Sequence, residues 1–106
     1  MEVTVFTTST QSQIQKEIKD YIDQVGGAYS SWYVGISENP RERLFNDHGV
    51  IEKTDRWIFR TASSSQIARS IEAYFVDTLG TDGGKGGGDE DARSVYAYKK
   101  NSHTTP

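Results

Sequence analysis

Tyr33-Val34-Gly35-Ile36-Ser37-Glu38-Asn39-Pro40-Arg41-Glu42-Arg43-Leu44-Phe45-Asn46-Asp47-His48 reads as a short apolar strand that runs through a glycine into a loop and then a helix. Asn39 is placed to cap that helix with its side chain. Pro40 suits the first helical position, where no backbone N–H bond is lost. The spacing predicts a short helix from Pro40 to about Asp47, stopped at Gly49. One strand-to-helix junction thus gathers a tyrosine, two arginines and a histidine.

Outward from this junction, helical and strand patterns alternate. Upstream, Ile14, Ile18, Tyr21, Ile22 and Val25 recur at helical spacing, Thr10 and Gln13 form a capping box, and Gly26-Gly27 supplies a stop. An amphipathic helix of this kind turns its apolar stripe to the core. Val3 and Val5 predict a first strand over Val3 to Thr7, and Tyr29 to Ser37 predicts the strand that enters the junction. Downstream, Thr54 to Thr61 alternates, with Trp57 and Phe59 on one face and Ile58 between Arg56 and Arg60 on the other. Ser63 and Gln66 read as a second capping box, opening a helix striped by Ile67, Ile71, Phe75 and Leu79 up to Gly80. Arg93 to Lys100 alternates again, Val95 and Ala97 against Tyr96 and Tyr98.

Between these last two elements, Thr81 to Asp91 holds five glycines, one lysine and four acids and predicts a flexible loop. It is no phosphate-binding loop, because no Gly-Lys-Ser/Thr follows a strand. The polar tail Asn101 to Pro106 is expected to fray. The whole predicts one α+β domain over residues 1–100, a small mixed or antiparallel sheet of three to four strands flanked by helices.

The bulk numbers agree with a single globular domain: 106 residues, 34% hydrophobic, 25% charged. No apolar run approaches the roughly 20 residues that span a bilayer. The first residues lack the basic and apolar regions of a signal peptide, so a cytoplasmic address is expected. Cysteine is absent, which excludes disulfides and thiolate metal sites and leaves carboxylate, imidazole or oxygen ligands for any metal. A net charge of −3 argues against a broad basic field that coats nucleic acid. Basic charge is nevertheless concentrated: residues 41–70 carry six Lys or Arg against four acids, whereas residues 1–40 carry two against five.

Five residues carry chemistry of interest. Glu72 falls on the packing side of its helix, near Ile71 and Phe75, where a carboxylate is costly unless it is paired or holds a metal. Arg43 has Asp47 four residues on, the spacing of a helix-surface ion pair. His48 ends a helix, where a protonated ring suits the dipole. Tyr29 and Tyr33 lie four apart on the predicted strand, hence on one face of the sheet. Packing alone can explain two such tyrosines.

Taken in order, strand tyrosine, glycine, helix arginine, histidine and a later inward glutamate resemble the GIY-YIG endonuclease family. Tyr33-Val34-Gly35 is similar to the second half of its namesake motif. Arg43 follows Gly35 by eight residues, as the family's catalytic arginine does, and Leu44 follows it. Glu72 stands where the metal-binding glutamate would be. The resemblance covers Tyr29 to Gly80 and implies an endonuclease that hydrolyses DNA phosphodiester bonds with one Mg²⁺ or Mn²⁺ ion. Glu72 would hold that ion, Arg43 would offset phosphoryl charge, and Tyr33, with Tyr29 or His48, would orient or deprotonate water. That proton transfer would require a lowered phenol pKa. Arg41, Lys53, Arg56 and Arg60 would grip phosphates.

The chain also departs from the family. There the first motif occupies its own strand about ten residues before the second, whereas Gly27-Ala28-Tyr29 lies only four residues before Tyr33. His48 follows Arg43 by five residues, where four is usual. The element order also fits a ferredoxin-like βαββαβ arrangement. Such a domain would be a catalytically inactive binding module, its sheet tyrosines stacking on single-stranded nucleic acid or meeting a protein partner.

Overall fold

In the computed structural model, which describes residues 10–83 and 91–106, Thr10 caps helix α1 (Gln11–Val25) by accepting from the Gln13 N–H at 3.1 Å. Gly26, at φ 101°, closes α1. The chain turns back through Gly27 and enters strand β1 (Trp32–Ser37). Asn39 then caps α2 (Pro40–Glu42), which widens into a π-helical turn over Arg43–Asp47. Strand β2 (Trp57–Thr61) leads to α3 (Ser65–Ala73), which also widens into a π-helical segment, Tyr74–Leu79, ended by Gly80 at φ 87°. A two-residue strand β3 (Asp82–Gly83) and the longer β4 (Ser94–Lys99) complete the sheet.

The four strands lie in the order β2-β4-β1-β3. β4 runs antiparallel to both β1 and β2, while β3 runs parallel to β1. This is an α+β fold with a mixed sheet flanked by helices. Because side chains alternate along each strand, the sheet has two distinct faces. One carries Trp32, Val34, Ile36, Ile58, Val95 and Ala97 and packs against Ile14, Ile18 and Ile22 of α1 and Ala68, Ile71 and Phe75 of α3. Each large apolar side chain sealed there contributes about 1.5–3 kcal/mol. The other face carries Tyr33, Tyr96 and Tyr98 under Leu44 and Val50.

Several local expectations are corrected. Tyr29–Ser31 form a 3₁₀ turn rather than strand, with the Ser31 N–H on Ala28 O at 2.9 Å. The strand therefore begins at Trp32, and Tyr29 does not share its face with Tyr33. Residues 54–56 stay outside the strand, with Thr54 and Asp55 held in a turn by their bonds to Ile51 O. Ser64, not Ser63, caps α3, accepting from the Ile67 N–H. The tail does not fray: Asn101 and His103 bond Asp55, and the Thr105 N–H bonds His48 O at 2.8 Å. β4 lies between β1 and β2, so these two strands do not form the hairpin that a βαββαβ order requires. The predicted strand at Val3 to Thr7 and most of the glycine-rich loop lie outside the described residues. Among the described residues, no helix is long and apolar enough to cross a membrane.

Candidate active site

Gly35 and Tyr96 are directly opposite in the β1–β4 ladder, and the site is built around that pair. A Cβ on Gly35 would lie 2.6 Å from Tyr96 Oη and 2.7 Å from Cζ. The glycine of the junction is thus the space that the Tyr96 phenol occupies. Tyr33, two residues earlier on the same face, stacks at 6.2 Å on Tyr96 and at 5.3 Å on Tyr98. Gly35→Ala should therefore push the phenol away at a cost of about 1–3 kcal/mol for overpacking a buried site. Urea unfolding checks this, and an unchanged midpoint would show that the ring moves freely.

The π-helical turn brings His48 into the cluster. Its N–H bonds Arg43 O, five residues back, at 2.8 Å. Such wide turns are rare and frequent at functional sites. The turn accommodates the extra residue between Arg43 and His48, so both side chains reach Tyr96. His48 is buried, at 6% exposure, with its ring 4.7 Å from that of Tyr33. Its Nε2 lies 2.7 Å from Tyr96 Oη and its Nδ1 2.7 Å from Thr105 O. A carbonyl only accepts, so Nδ1 carries the hydrogen, and in the neutral ring Nε2 accepts from the Tyr96 hydroxyl. Burial holds the imidazole below its usual range, opposed by the Thr105 carbonyl and reinforced by Arg43. His48 is thus a neutral acceptor rather than the cation that a helix end would suit.

Arg43 approaches the same hydroxyl and pairs with Asp47 at 3.5 Å. Its side chain is 39% exposed, yet its Nε is buried without a hydrogen-bond partner. Glu72, from α3, is partly buried, and its Oε2 has no hydrogen-bond partner among the described residues. Burial pushes this carboxyl up to about 7, against the pull of Arg69 and with a further push from Asp77. Burial also raises the Tyr33 phenol; Arg43 lowers it, while Asp82 and Glu72 raise it. Tyr96 is raised, first by burial and then by Tyr33, with Glu72 adding to the rise. The phenols are therefore neutral at physiological pH, with Tyr33 raised by burial rather than lowered. Their buried positions also rule out the tyrosines as a base-stacking platform.

The structure gathers Tyr33, Arg43 and His48, with Glu72 close enough to shift both Tyr33 and Tyr96. It does not include Tyr29, whose hydroxyl donates to Asp23 at 2.6 Å beside α1. Tyr96 was missed because its alternation marks a strand but not which strand lies beside it. Among the described residues no group of three His, Cys, Asp or Glu side chains could enclose a metal. One carboxylate with an unpartnered oxygen still fits a hydrated Mg²⁺, which binds proteins through one or two carboxylates.

The basic residues diverge. Arg60 pairs with Glu17 at 2.7 Å, on the α1 side of the sheet, away from Tyr33. Lys53 and Arg56 are exposed around the turn before β2. Arg41 pairs with Glu52 at 3.0 Å and lies 5.7–5.8 Å from the rings of Phe45, Trp57 and Phe59. It also lines an open groove of about 740 Å³ with Phe59 and Arg93. That groove does not enclose the tyrosine cluster. It borders it, because Phe59 is paired with Tyr96 across β2 and β4. No protein-family model matches the chain, and no curated protein or solved structure matches it at a significant level.

Proposed function

We propose that this domain is a divalent-metal-dependent endonuclease that hydrolyses DNA phosphodiester bonds. The observation that carries this reading is two buried atoms without hydrogen-bond partners, Arg43 Nε and Glu72 Oε2, on residues whose charges both act on Tyr33. An unsatisfied buried polar atom costs about 1–3 kcal/mol, so two around one cluster favour a ligand with an anionic and a cationic part. A phosphodiester and its divalent ion supply both. In this reading β4, antiparallel to Tyr33-Val34-Gly35, would serve as the first-motif strand of a GIY-YIG-like site, with Tyr96 in the role given to Tyr29.

The chemistry assigned to the side chains is a proton relay. Water gives its proton to Tyr96 Oη as the phenol passes its own to His48 Nε2 over 2.7 Å. The water oxygen bonds to phosphorus, and the bond to the leaving oxygen breaks. Arg43 donates to a non-bridging oxygen, where charge builds. Tyr33 packs the Tyr96 ring in place and lines the site. Glu72 would hold a Mg²⁺ or Mn²⁺ ion, whose charge would stabilise the leaving oxygen. Arg41 and Arg93, which line the groove bordering the cluster, are the phosphate contacts in this reading, whereas Arg60 lies on the α1 side of the sheet with Glu17.

Supercoiled plasmid should be nicked by the wild type with Mg²⁺ or Mn²⁺ and left intact with chelator. Arg43→Ala should slow nicking by about 10²–10³-fold, the usual cost of one donor to developing charge. Intact plasmid under both ions, or an Arg43→Ala rate equal to wild type, defeats the proposal.

A further inference from the structure

Residues 101–106 follow β4, fold back and end against the ring of His48. Thr105 O accepts from His48 Nδ1 at 2.7 Å and from the Tyr98 hydroxyl at 3.3 Å, while the Thr105 N–H donates to His48 O at 2.8 Å. The segment is closed on itself by Thr104 N–H to Asn101 O at 3.3 Å and Asn101 N–H to Thr104 Oγ1 at 3.0 Å. It is fastened to the body of the domain at Asp55, which accepts from Asn101 Nδ2 at 3.1 Å and meets His103 Nε2 at 2.6 Å. Most of these residues are exposed. Their anchorage therefore rests on polar bonds, and those bonds converge on one buried imidazole.

We infer that the segment Asn101–Thr105 is a positioning strap that sets the tautomer of His48, and through it the direction of the Tyr96 hydroxyl. Its effect on cleavage rests on the nuclease reading above; its effect on the tautomer does not. With a carbonyl at Nδ1, the hydrogen must sit there and Nε2 stays free to accept. Without that carbonyl, the partner left at Nδ1 is the Tyr98 hydroxyl at 3.1 Å, which can donate or accept, so either nitrogen can carry the hydrogen. An Nε2–H would face the Tyr96 oxygen as a donor, turn the phenolic hydrogen away, and leave no base for the relay. Orienting partners of this kind are worth about 10- to 100-fold when lost, and a histidine held in the wrong tautomer costs more.

The test uses the 106-residue protein labelled with ¹⁵N at histidine, beside His103→Ala, which removes one of the strap's two bonds to Asp55, and a chain shortened to end at Asn101. Nitrogen spectra at pH 7.5 should report His48 as the Nδ1–H tautomer in the wild type. They should report a mixture or the Nε2–H form in the shortened chain, with His103→Ala in between. Nicking should fall about 10- to 100-fold in the shortened chain, mainly in kcat with little change in KM. An Nε2–H wild type overturns the inference, as does a pure Nδ1–H form in both variants. If the shortened chain unfolds, His103→Ala alone decides by the same spectra. Should the tautomer shift as expected while no form of the protein cleaves DNA, the strap stands and the hydrolytic reading falls.

Discussion

Glu72→Gln is expected to make the protein more stable above neutral pH and inactive as a nuclease. Burial pushes the carboxyl up to about 7 in the folded chain from its ordinary value of 4.5, which it regains when unfolded. Between those values the folded state holds a proton that the unfolded state has lost, so stability falls as pH rises through that window. Above it both states are ionised and the full penalty remains, on the order of 3 kcal/mol at 1.36 kcal/mol per pKa unit. Glutamine keeps the shape without the charge, although its buried amide gives back about 1 kcal/mol. Urea unfolding at pH 5 and pH 8 should therefore show wild type losing stability across the range and Glu72→Gln holding nearly level, ahead by about 1–2 kcal/mol at pH 8. Mg²⁺ should then restore stability to the wild type alone, by about 2.7 kcal/mol at a hundredfold excess over Kd. Equal pH slopes in the two proteins would show that Glu72 is not held unpaired. A residue whose removal stabilises the fold while abolishing activity is one retained at a stability cost.

Tyr96→Phe should slow cleavage by about 10²–10⁴-fold, the range of positioned proton transfer. The hydroxyl lies 2.7 Å from His48 Nε2 with Arg43 beside it, so its loss breaks the proposed path of a proton to Nε2. It also leaves that nitrogen buried and unbonded, at a stability cost of about 1–3 kcal/mol. Unfolding curves separate the two effects, since a loss of that size leaves the protein folded at assay temperature unless its total stability is already marginal.

Much of the fold was legible where information is local. The isoleucine stripe of α1, the Thr10 cap and the Gly26 stop predicted that helix over its observed span. Gly80 likewise closed the stripe of α3. In the serine run at 63–65 any residue can cap, and only the backbone geometry chooses Ser64. Tyr29 read as strand because its neighbours are aromatic, yet the two positive-φ glycines before it turn the chain into a 3₁₀ turn first.

The site was half legible for the same reason. Gly35, Arg43 and Glu72 lie at spacings set along the chain, but Tyr96 joins them through a strand pairing across some sixty residues, which no local pattern records. His48 read as a dipole partner because its neutral state depends on burial and its tautomer on a carbonyl at Thr105, equally remote in sequence. The π turn that brings it to Arg43 is another feature that periodicity at 3.6 residues cannot reveal.

The measurement that bears most directly on this placement of the reaction is single-turnover nicking of supercoiled plasmid in Mn²⁺ by wild type, Tyr96→Phe and Tyr29→Phe. Tyr96→Phe is expected at least about 10²-fold slower than wild type, and Tyr29→Phe, which loses a hydroxyl bonded to Asp23 of α1, at the wild-type rate. Cleavage by Tyr96→Phe as fast as wild type, or its loss in Tyr29→Phe, would contradict a site built on β4.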